Sequence, residues 1–252
     1  MVHHSIRRAA GVFAAALVAL TPVVVSAQGL PDPKALMEKH NAAAGGRDAM
    51  DKHTSLKLTA TMSIAAMGMD AQMEVYRAKP NKFVQKVVLG PMGEVVTGFD
   101  GTRGWSVNPM AGAQLIDGDA AKTLKAQADF FSNLQDAANY TDAQTLELTD
   151  FEGNKCYKVR LLRDGREGFE YFNAATGLLA GFSGSVDTPQ GKVETTTVIS
   201  DWIDAAGIKF PKSVEQRTPN GPAKITFTAV EFDKVDPATF EMPAAVKAMV
   251  KP

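Results

Sequence analysis

The stretch Leu56-Lys57-Leu58-Thr59-Ala60-Thr61-Met62-Ser63-Ile64, followed by Met69-Asp70-Ala71-Gln72-Met73-Glu74-Val75-Tyr76, decides the fold. In both segments apolar residues alternate with polar ones, which is the pattern of a half-buried β-strand. Met67 and Gly68 stand between them and mark a turn. The two segments therefore predict a β-hairpin with one apolar and one polar face.

The same strand pattern continues along the chain to Phe232, and most of the predicted turns contain a glycine. We therefore expect a mainly β (α+β) protein with a strongly curved antiparallel sheet of about 11–12 strands around an apolar interior. After the first hairpin, the predicted strands span residues 81–89, 94–99, 105–107, 145–151, 155–163, 168–173, 178–186, 192–204, 208–217 and 223–232.

Two helical stretches accompany the strands. Asp32-Pro33 predicts a helix start, with aspartate as the cap, and Gly45-Gly46 predicts its end. A second helix is predicted over residues 119–138, where Leu124, Ala128 and Phe131 recur at helical spacing. A helix that joins two halves of an antiparallel sheet should pack its apolar side on the sheet. The sequence leaves open whether it is a fixed plug or a movable lid.

The first residues have the pattern of an export signal. His3, His4, Arg7 and Arg8 precede an apolar run at residues 9–20, and Val25-Ser26-Ala27 is a small-residue cleavage pattern. We expect residues 1–27 to be a signal peptide for the general secretory route, with cleavage near Ala27. Residues 28–252 are expected to form a single domain, soluble in the periplasm of the bacterial envelope.

Charge and cysteine content exclude several classes of protein. The chain has 27 basic and 28 acidic residues, and removal of Arg7 and Arg8 leaves a net charge of −3. This charge gives no reason to expect a nucleic-acid partner. Cys156 is the one cysteine and cannot form an internal disulfide. We therefore expect a monomer that depends on its hydrophobic core alone.

The polar residues do not form a recognisable catalytic or metal-binding cluster. His40 and His53 are separated by the Gly-Gly break, and no third histidine or cysteine supports a metal site. Ser183-Gly184-Ser185 lacks the glycines of a nucleophile elbow, and no histidine follows it. The pair Asp117 and Asp119 fits turn or cap positions. We expect no cofactor, no metal and no enzymatic activity.

The apolar residues of the interior are therefore the candidate ligand-binding residues. Methionines crowd the first hairpin, and their flexible side chains suit ligands of variable shape. Filling of an ordinary core is the alternative for each of these residues taken singly, and the proposal rests on the group as a whole. The predicted cavity-lining residues are Met62, Met73, Phe83, Val87, Phe99, Trp105, Leu124, Phe130, Phe131 and Leu134.

Several segments, taken in order, resemble one known family across nearly the whole mature chain. This chain resembles the LolA/LolB-like periplasmic lipoprotein carriers and the related outer-membrane lipoprotein-sorting proteins. The resemblance implies an incomplete β-barrel covered by helices, whose apolar hollow accepts acyl chains. The segments that carry it are GGRDAM at 45–50, TSL at 54–56, GFDGTRGW at 98–105, EYFNAATGLL at 170–179, GIKFP at 207–211 and PATFEMP at 237–243.

Three functions remain open from the sequence. The first is a carrier for a lipid or lipidated protein, with an acyl chain as ligand and a membrane-bound donor or acceptor protein as a further partner. The second is an envelope interaction or sensing module that uses the same fold with a filled core. The third is an enzyme of unrecognised type that depends on His40 and His53.

Overall fold

The structure is a computed structural model and describes residues 29–65, 68–163, 165–188 and 191–250. The predicted signal peptide and Met67 lie outside the described residues. The helices are α1 (Pro33–Ala43), α2 (Arg47–Asp51), α3 (Gly118–Ala128) and α4 (Ala244–Lys247). The strands are β1 (Ser55–Ile64), β2 (Met69–Ala78), β3 (Lys82–Val88), β4 (Glu94–Phe99), β5 (Gly104–Asn108), β6 (Gly112–Ile116), β7 (Asp142–Phe151), β8 (Asn154–Arg163), β9 (Arg166–Asn173), β10 (Leu179–Thr188), β11 (Gly191–Ala205), β12 (Ile208–Thr218) and β13 (Gly221–Phe232).

All of these strands belong to one antiparallel sheet with the order β6-β5-β4-β3-β2-β1-β13-β12-β11-β10-β9-β8-β7. The first six strands run outward from β1 to one edge, and the last seven run from the opposite edge back to β13. The predicted mainly β, curved and unclosed architecture is thereby confirmed. Residues 117–141, which we call the crossing segment, connect the two edges.

The crossing segment differs from the sequence prediction in two ways. Strand β6, which the sequence did not predict, precedes it and brings the number of strands to thirteen. Helix α3 ends at Ala128 instead of continuing to residue 138. Asp129 leaves the helix in an extended conformation, and its carboxylate accepts a hydrogen bond of 3.0 Å from the backbone N–H of Phe131. Such local bonds compete with helix formation. Residues 129–136 are therefore irregular, and only a 3-10 turn, Ala137–Asn139, follows.

Helix α1 begins where the sequence predicts. The carboxylate of Asp32 accepts hydrogen bonds from the backbone N–H of Lys34, at 2.8 Å, and of Ala35, at 3.3 Å. These bonds satisfy N–H groups that lack partners inside the helix. The buried side of α1 packs on β8, β9 and β10, in a cluster of Leu36, Met37, Val159, Leu161, Phe172 and Leu179.

The main hydrophobic cluster lies beneath α2 and α3 on β1–β4 and β12. It is a closely packed core that includes buried residues from the first hairpin and from the following strands. Its buried members are Met50, Leu56, Leu58, Ala60, Met73, Val75, Phe83, Phe99, Leu124, Ala128, Phe130, Ile208 and Phe210.

A third cluster covers the opposite face of the sheet. Here Phe240, Met242 and Val246, from the segment after β13, pack on Val84 and Trp105. Gly98 pairs directly with Trp105, and a Cβ atom at Gly98 would collide with the indole ring. The glycine thus makes room for the tryptophan on this face.

The pairing of β1 with β13 joins the two halves of the sheet. Asp233 follows β13, and its Oδ1 accepts bonds from the backbone N–H of Thr54, at 2.7 Å, and of Ser55, at 3.4 Å. Its Oδ2 lies 2.7 Å from Nδ1 of His53, whose ring stacks on Phe232. The bonds from Thr54 and then from His53 hold the pKa of the Asp233 carboxyl well below its usual value.

We expect the Asp233→Ala substitution to lower the free energy of unfolding by about 1–2 kcal/mol, because several bonds to a partly exposed carboxylate are lost. Since the pKa is depressed in the folded state, the ionised carboxylate stabilises the wild type above about pH 4, and this contribution is lost as the pH falls. Urea denaturation at pH 7 and pH 3 measures both effects. Asp70→Ala, at an exposed carboxylate on β2, is the control. An equal loss in both variants would contradict the prediction.

Candidate ligand-binding cavity

A cavity of about 490 Å³ lies on the inner face of the sheet, between the strands, α1 and the crossing segment. Its walls come from strands as distant as β2 and β8, which are seven strand spacings apart. In a flat sheet this separation would be about 34 Å. Because both strands line one small cavity, the sheet must curve around it, and this inner face is concave.

The floor of the cavity is apolar and is built by the last strands of the chain. Ile199, Val214 and Ile225 are directly opposed on β11, β12 and β13, so their side chains share one face. All three line the cavity. The other apolar lining residues are Leu58, Leu179, Phe182, Trp202, Phe210, Pro211 and Phe227.

The crossing segment covers the cavity with polar residues that α1 holds in place. The backbone N–H of Gln135 donates to the Asn41 side chain at 2.7 Å, and the Asn41 amide donates back to the Gln135 carbonyl, also at 2.7 Å. Next to this pair, Nε2 of His40 lies 3.4 Å from the Asn133 carbonyl oxygen. Two consecutive residues of α1 therefore fix the backbone of residues 133–135.

His40 connects this cover to the sheet. Its Nδ1 accepts a hydrogen bond of 3.1 Å from the backbone N–H of Leu179, so its Nε2 carries the proton that points to Asn133. The ring is almost fully buried, and burial lowers its pKa, against the smaller opposite effect of the bond to Asn133. His40 is therefore a neutral, structural residue.

Glu170, on β9, forms a second connection between the sheet and the crossing segment. Its Oε1 accepts hydrogen bonds from Gln135 at 3.3 Å and from the hydroxyl of Tyr140 at 3.2 Å. Burial raises the pKa of Glu170 to about 7, and these two bonds lower it by less. The carboxyl group is thus near its midpoint of ionisation at neutral pH.

Two arginines also reach the cavity. Arg77, on β2, donates from Nε to the carbonyl oxygen of Gln127 at 2.9 Å, and burial lowers its pKa to about 10. Arg163 donates from Nε to the Asn139 carbonyl at 3.2 Å and lies over the ring of Tyr140. Arg77 forms no ion pair with a carboxylate in the described ranges.

A neighbouring cleft of about 470 Å³ lies between α3 and strands β8–β10. Arg163, Glu170 and Phe182 line both spaces. The side chain of Phe182 is 43% exposed. Phe182 therefore lies at the boundary between the cavity and the surface.

The predicted cavity residues do not form the walls of this cavity. Most of them fill the solid core beneath α2 and α3, namely Met73, Phe83, Val87, Phe99, Leu124 and Phe130. Met62 is half-buried and lies directly opposite Ile225, at the margin of the cavity floor. Phe131 and Leu134 line a neighbouring, mostly polar cleft of about 830 Å³ between α1 and the crossing segment, which shares Gln135 and Glu170 with the cavity.

Trp105 lies on the other face of the sheet. The sequence placed it with the inner residues, but it packs on the opposite face beneath Phe240 and Met242. Phe99 and Trp105 are both apolar, and periodicity within each short strand did not show which face of the sheet is concave. Pairing of Trp105 with Gly98, the neighbour of Phe99, places the two aromatic rings on opposite faces.

The residues that do line the cavity lie in strands that the sequence predicts, but the pattern did not identify them as cavity residues. Ile225 and Phe227 alternate with polar residues in the last predicted strand, and Ile199 and Val214 occupy predicted strands before it. Their pattern is that of any half-buried strand. It could not show that these three strands, which are far from the methionine-rich hairpin along the chain, form the floor of a cavity on the concave face.

The residues that the sequence offered for catalysis or metal binding do not come together in one site. His53 pairs with Asp233, away from the His40 contacts with Leu179 and Asn133. The hydroxyl groups of Ser183 and Tyr171 are 3.3 Å apart. Within the described ranges no group of three or more His, Cys, Asp and Glu side chains could hold a metal ion. Burial raises the pKa of the free thiol of Cys156 to about 11, so it is protonated at neutral pH.

Comparison with known proteins places the fold. The chain matches no family model and no curated protein sequence. A DUF1329 family protein from Desulfovibrio piger has a similar structure, with a TM-score of 0.60 and 14% identity, covering 85% of this chain and 100% of that one. A LolA superfamily protein from Nitrosomonas europaea gives a TM-score of 0.56 at 11% identity, covering 83% and 97%.

A third similar structure, from Vibrio parahaemolyticus, is described as an outer membrane lipoprotein-sorting protein domain. Its TM-score is 0.52 at 11% identity, and the match covers 79% of this chain and 94% of that one. The resemblance predicted from the sequence segments is confirmed at the level of the fold. The protein has a LolA-like fold.

We expect His40→Ala to lower the free energy of unfolding by about 3 kcal/mol, because a buried ring is lost and two backbone groups lose their partner. Since the folded pKa is lowered, the unfolded state binds a proton below about pH 6.5 while the folded state does not. The wild type should therefore lose stability as the pH falls through 6.5. In the variant this contribution to the pH dependence should vanish.

Urea denaturation at pH 5 and pH 8 is the measurement for His40. His53→Ala is the matched control, because His53 pairs with Asp233 near the surface and should cost about 1 kcal/mol. A loss at His40 no larger than that at His53 would show that His40 does not hold the cover on the sheet.

We expect Glu170→Gln to stabilise the protein above pH 7. The rise of the Glu170 pKa from 4.5 to about 7 means that the folded state retains a proton that the unfolded state releases. Wild-type stability therefore falls as the pH rises through this window, by up to about 3 kcal/mol. Glutamine carries no charge, so the variant should lack this loss.

The stability difference between wild type and Glu170→Gln should be larger at pH 8 than at pH 4.5 when both are unfolded in urea. Glu167→Gln, at an exposed carboxylate on the same strand, is the control and should show no such gain. A difference that is the same at both pH values would refute the buried, proton-retaining state of Glu170.

Proposed function

We propose that this protein is a non-enzymatic carrier or binding protein that holds the hydrocarbon part of a lipid or lipidated protein in its concave cavity. The observation that carries the proposal is the cavity of about 490 Å³ with an apolar floor beneath the crossing segment. Cavities of roughly 300–1,000 Å³ with an apolar lining and a few polar groups are typical ligand sites.

The cavity has room for one hydrocarbon chain. At roughly 30 Å³ for each small heavy-atom group in a liquid, a volume of about 490 Å³ holds about sixteen such groups. Burial of a methylene group contributes about 0.8 kcal/mol. A chain of roughly sixteen carbons would gain on the order of 10 kcal/mol before ordering costs.

Capture on this scale needs no reactive side chain. Release is the harder step, because the gained free energy must be offset by movement of the cover or by a more apolar acceptor. The crossing segment is joined to the sheet through His40 and Glu170, so its displacement would open the cavity. We therefore favour the movable-lid role for residues 129–141 and the fixed-plug role for α3, whose Leu124 and Ala128 lie in the solid core.

The cellular setting completes the proposal. The export pattern at residues 1–27 supports a periplasmic protein that is soluble after cleavage, with a membrane-bound donor or acceptor as partner. No helix within the described residues has the length and apolar character needed to cross a membrane. The similar structure from Vibrio parahaemolyticus, described as a lipoprotein-sorting domain, supports lipoprotein sorting to the outer membrane as the specific task.

One observation favours the second candidate, an interaction or sensing module of the envelope. Leu146 and Leu148, on the edge strand β7, are 37% and 51% exposed. Exposed apolar side chains on an edge strand are suited to contact with another chain. A tight protein partner, together with a melting temperature that lipids do not change, would support this function over the carrier function.

The carrier proposal predicts that filling the cavity abolishes binding. Ile225→Trp places a large ring on the cavity floor and should weaken the binding of a fluorescent fatty acyl probe by tenfold or more, since the chain loses its space. Lys224→Trp introduces the same ring on the opposite face of the same strand and should leave binding unchanged. Fluorescence titration measures both variants.

Mass spectrometry of gently purified protein gives an independent check. We expect a bound lipid in the wild type and its loss in Ile225→Trp. Absence of any lipid from the wild type, together with no binding of the acyl probe, would refute the carrier function.

A further inference from the structure

Three buried polar atoms at the covered end of the cavity have no hydrogen-bond partner among the described residues. They are Nδ2 and Oδ1 of Asn133 and Oε2 of Glu170. Both residues line the cavity. A buried polar group without a partner costs about 1–3 kcal/mol. A concentration of such groups on one wall of a ligand cavity therefore indicates the polar part of the ligand.

Helix α1 fixes the backbone around Asn133. Its carbonyl oxygen faces His40 at 3.4 Å, and two residues later Gln135 is bonded in both directions to Asn41. The side-chain amide is left free, although it is buried. Because both of its polar atoms are unpartnered, the assignment of nitrogen and oxygen in this side chain does not affect the conclusion.

The hydrogen-bonding capacity of the free atoms defines which chemical group of a ligand can satisfy them. The Asn133 amide offers one donor and one acceptor, and Glu170 Oε2 offers a further acceptor when ionised. A secondary amide has one carbonyl acceptor and one N–H donor. It can therefore accept from Nδ2 of Asn133 and donate to Oδ1 of Asn133 or to Oε2 of Glu170.

Other common head groups fit less well. An ester or an ionised carboxylate has acceptors only, so Oδ1 of Asn133 would remain buried without a donor. A carboxylate would also lie near the carboxyl group of Glu170, and wherever Glu170 is ionised these like charges at close range are unfavourable. Arg77 lines the same cavity and favours an anion, so a free fatty acid is the competitor that must be tested.

We propose that the cavity recognises a single acyl chain joined through an amide, with the amide group bound by Asn133 and Glu170 and the chain lying on the floor of β11–β13. This assignment rests on the proposed carrier function and specifies its ligand class. Two sources share the chemistry, namely an N-acylated peptide terminus and an N-acyl amino acid.

The direct test compares two ligands that differ by one group. N-methylpalmitamide and methyl palmitate have the same chain and nearly the same size, but only the amide has an N–H. In competition with a fluorescent fatty acyl probe on the wild-type protein, we expect the amide to bind about tenfold more tightly, since it alone can donate a hydrogen bond to one of the two free acceptors. Palmitate, which tests the role of Arg77, should bind more weakly than the amide.

Substitution of Asn133 then tests whether its side chain causes the preference for the amide over the ester. In Asn133→Leu, which has a similar volume, the amide and the ester should bind equally, and affinity for the ester should stay within about twofold of wild type. Asn139→Leu, in the same segment but outside the cavity, should retain the preference. Thermal melting shows whether each variant is folded, and the comparison of ligands on the wild type does not depend on any variant.

The outcomes separate this inference from the function on which it rests. Equal binding of amide and ester by the wild type, as expected if bound water already satisfies the free atoms, would overturn the amide inference while the carrier function stands. Tighter binding of palmitate would also overturn it. If none of the chains binds, the carrier function itself fails. Comparison of N-palmitoylglycine with an N-palmitoylated peptide distinguishes the two sources of the amide.

Discussion

The hydrogen-bonded pairing of β1 with β13 is the constraint on which the rest of the structure depends. This pairing places the first and last strands at the centre of the sheet, so β6 and β7, which are consecutive along the chain, become its two edges. The crossing segment must then pass from one edge to the other over the concave face. The cover of the cavity is thus a consequence of strand order, and Asp233 contributes to it by fixing the start of β1 to the end of β13.

The concave face is filled unevenly, and this unevenness creates the site. Beneath α2 and α3 the inner side chains pack into a continuous core. Where α3 ends at Ala128, the irregular residues that follow carry polar groups and do not fill the space above β11–β13. Close packing is the rule in protein interiors. An apolar space left open beneath a polar cover therefore distinguishes this interior from an ordinary β-protein core.

The contacts that hold the cover over the cavity also determine which polar atoms of its wall remain without a partner. His40 and Asn41 hold the backbone of residues 133–135, while Glu170 holds the side chain of Gln135 and the hydroxyl of Tyr140. The same arrangement leaves the Asn133 amide without a partner. Because burial disfavours the charged forms of His40 and Glu170, closure depends on neutral hydrogen bonds. Such bonds can be exchanged for those of a ligand at little net cost.

The sequence by itself determined the strands other than β6, the start of α1, the antiparallel hairpins and the resemblance to the LolA-like fold, because alternation, caps and turn residues act over a few positions. It did not determine where the cavity lies. Trp105 and Phe99 look alike in the sequence but face opposite sides of the sheet, and nothing in the pattern around Ile225 showed that this residue lines a cavity. Only the tertiary structure decided these points, because they depend on strand order, on the direction of curvature and on where the crossing segment ceases to be helical.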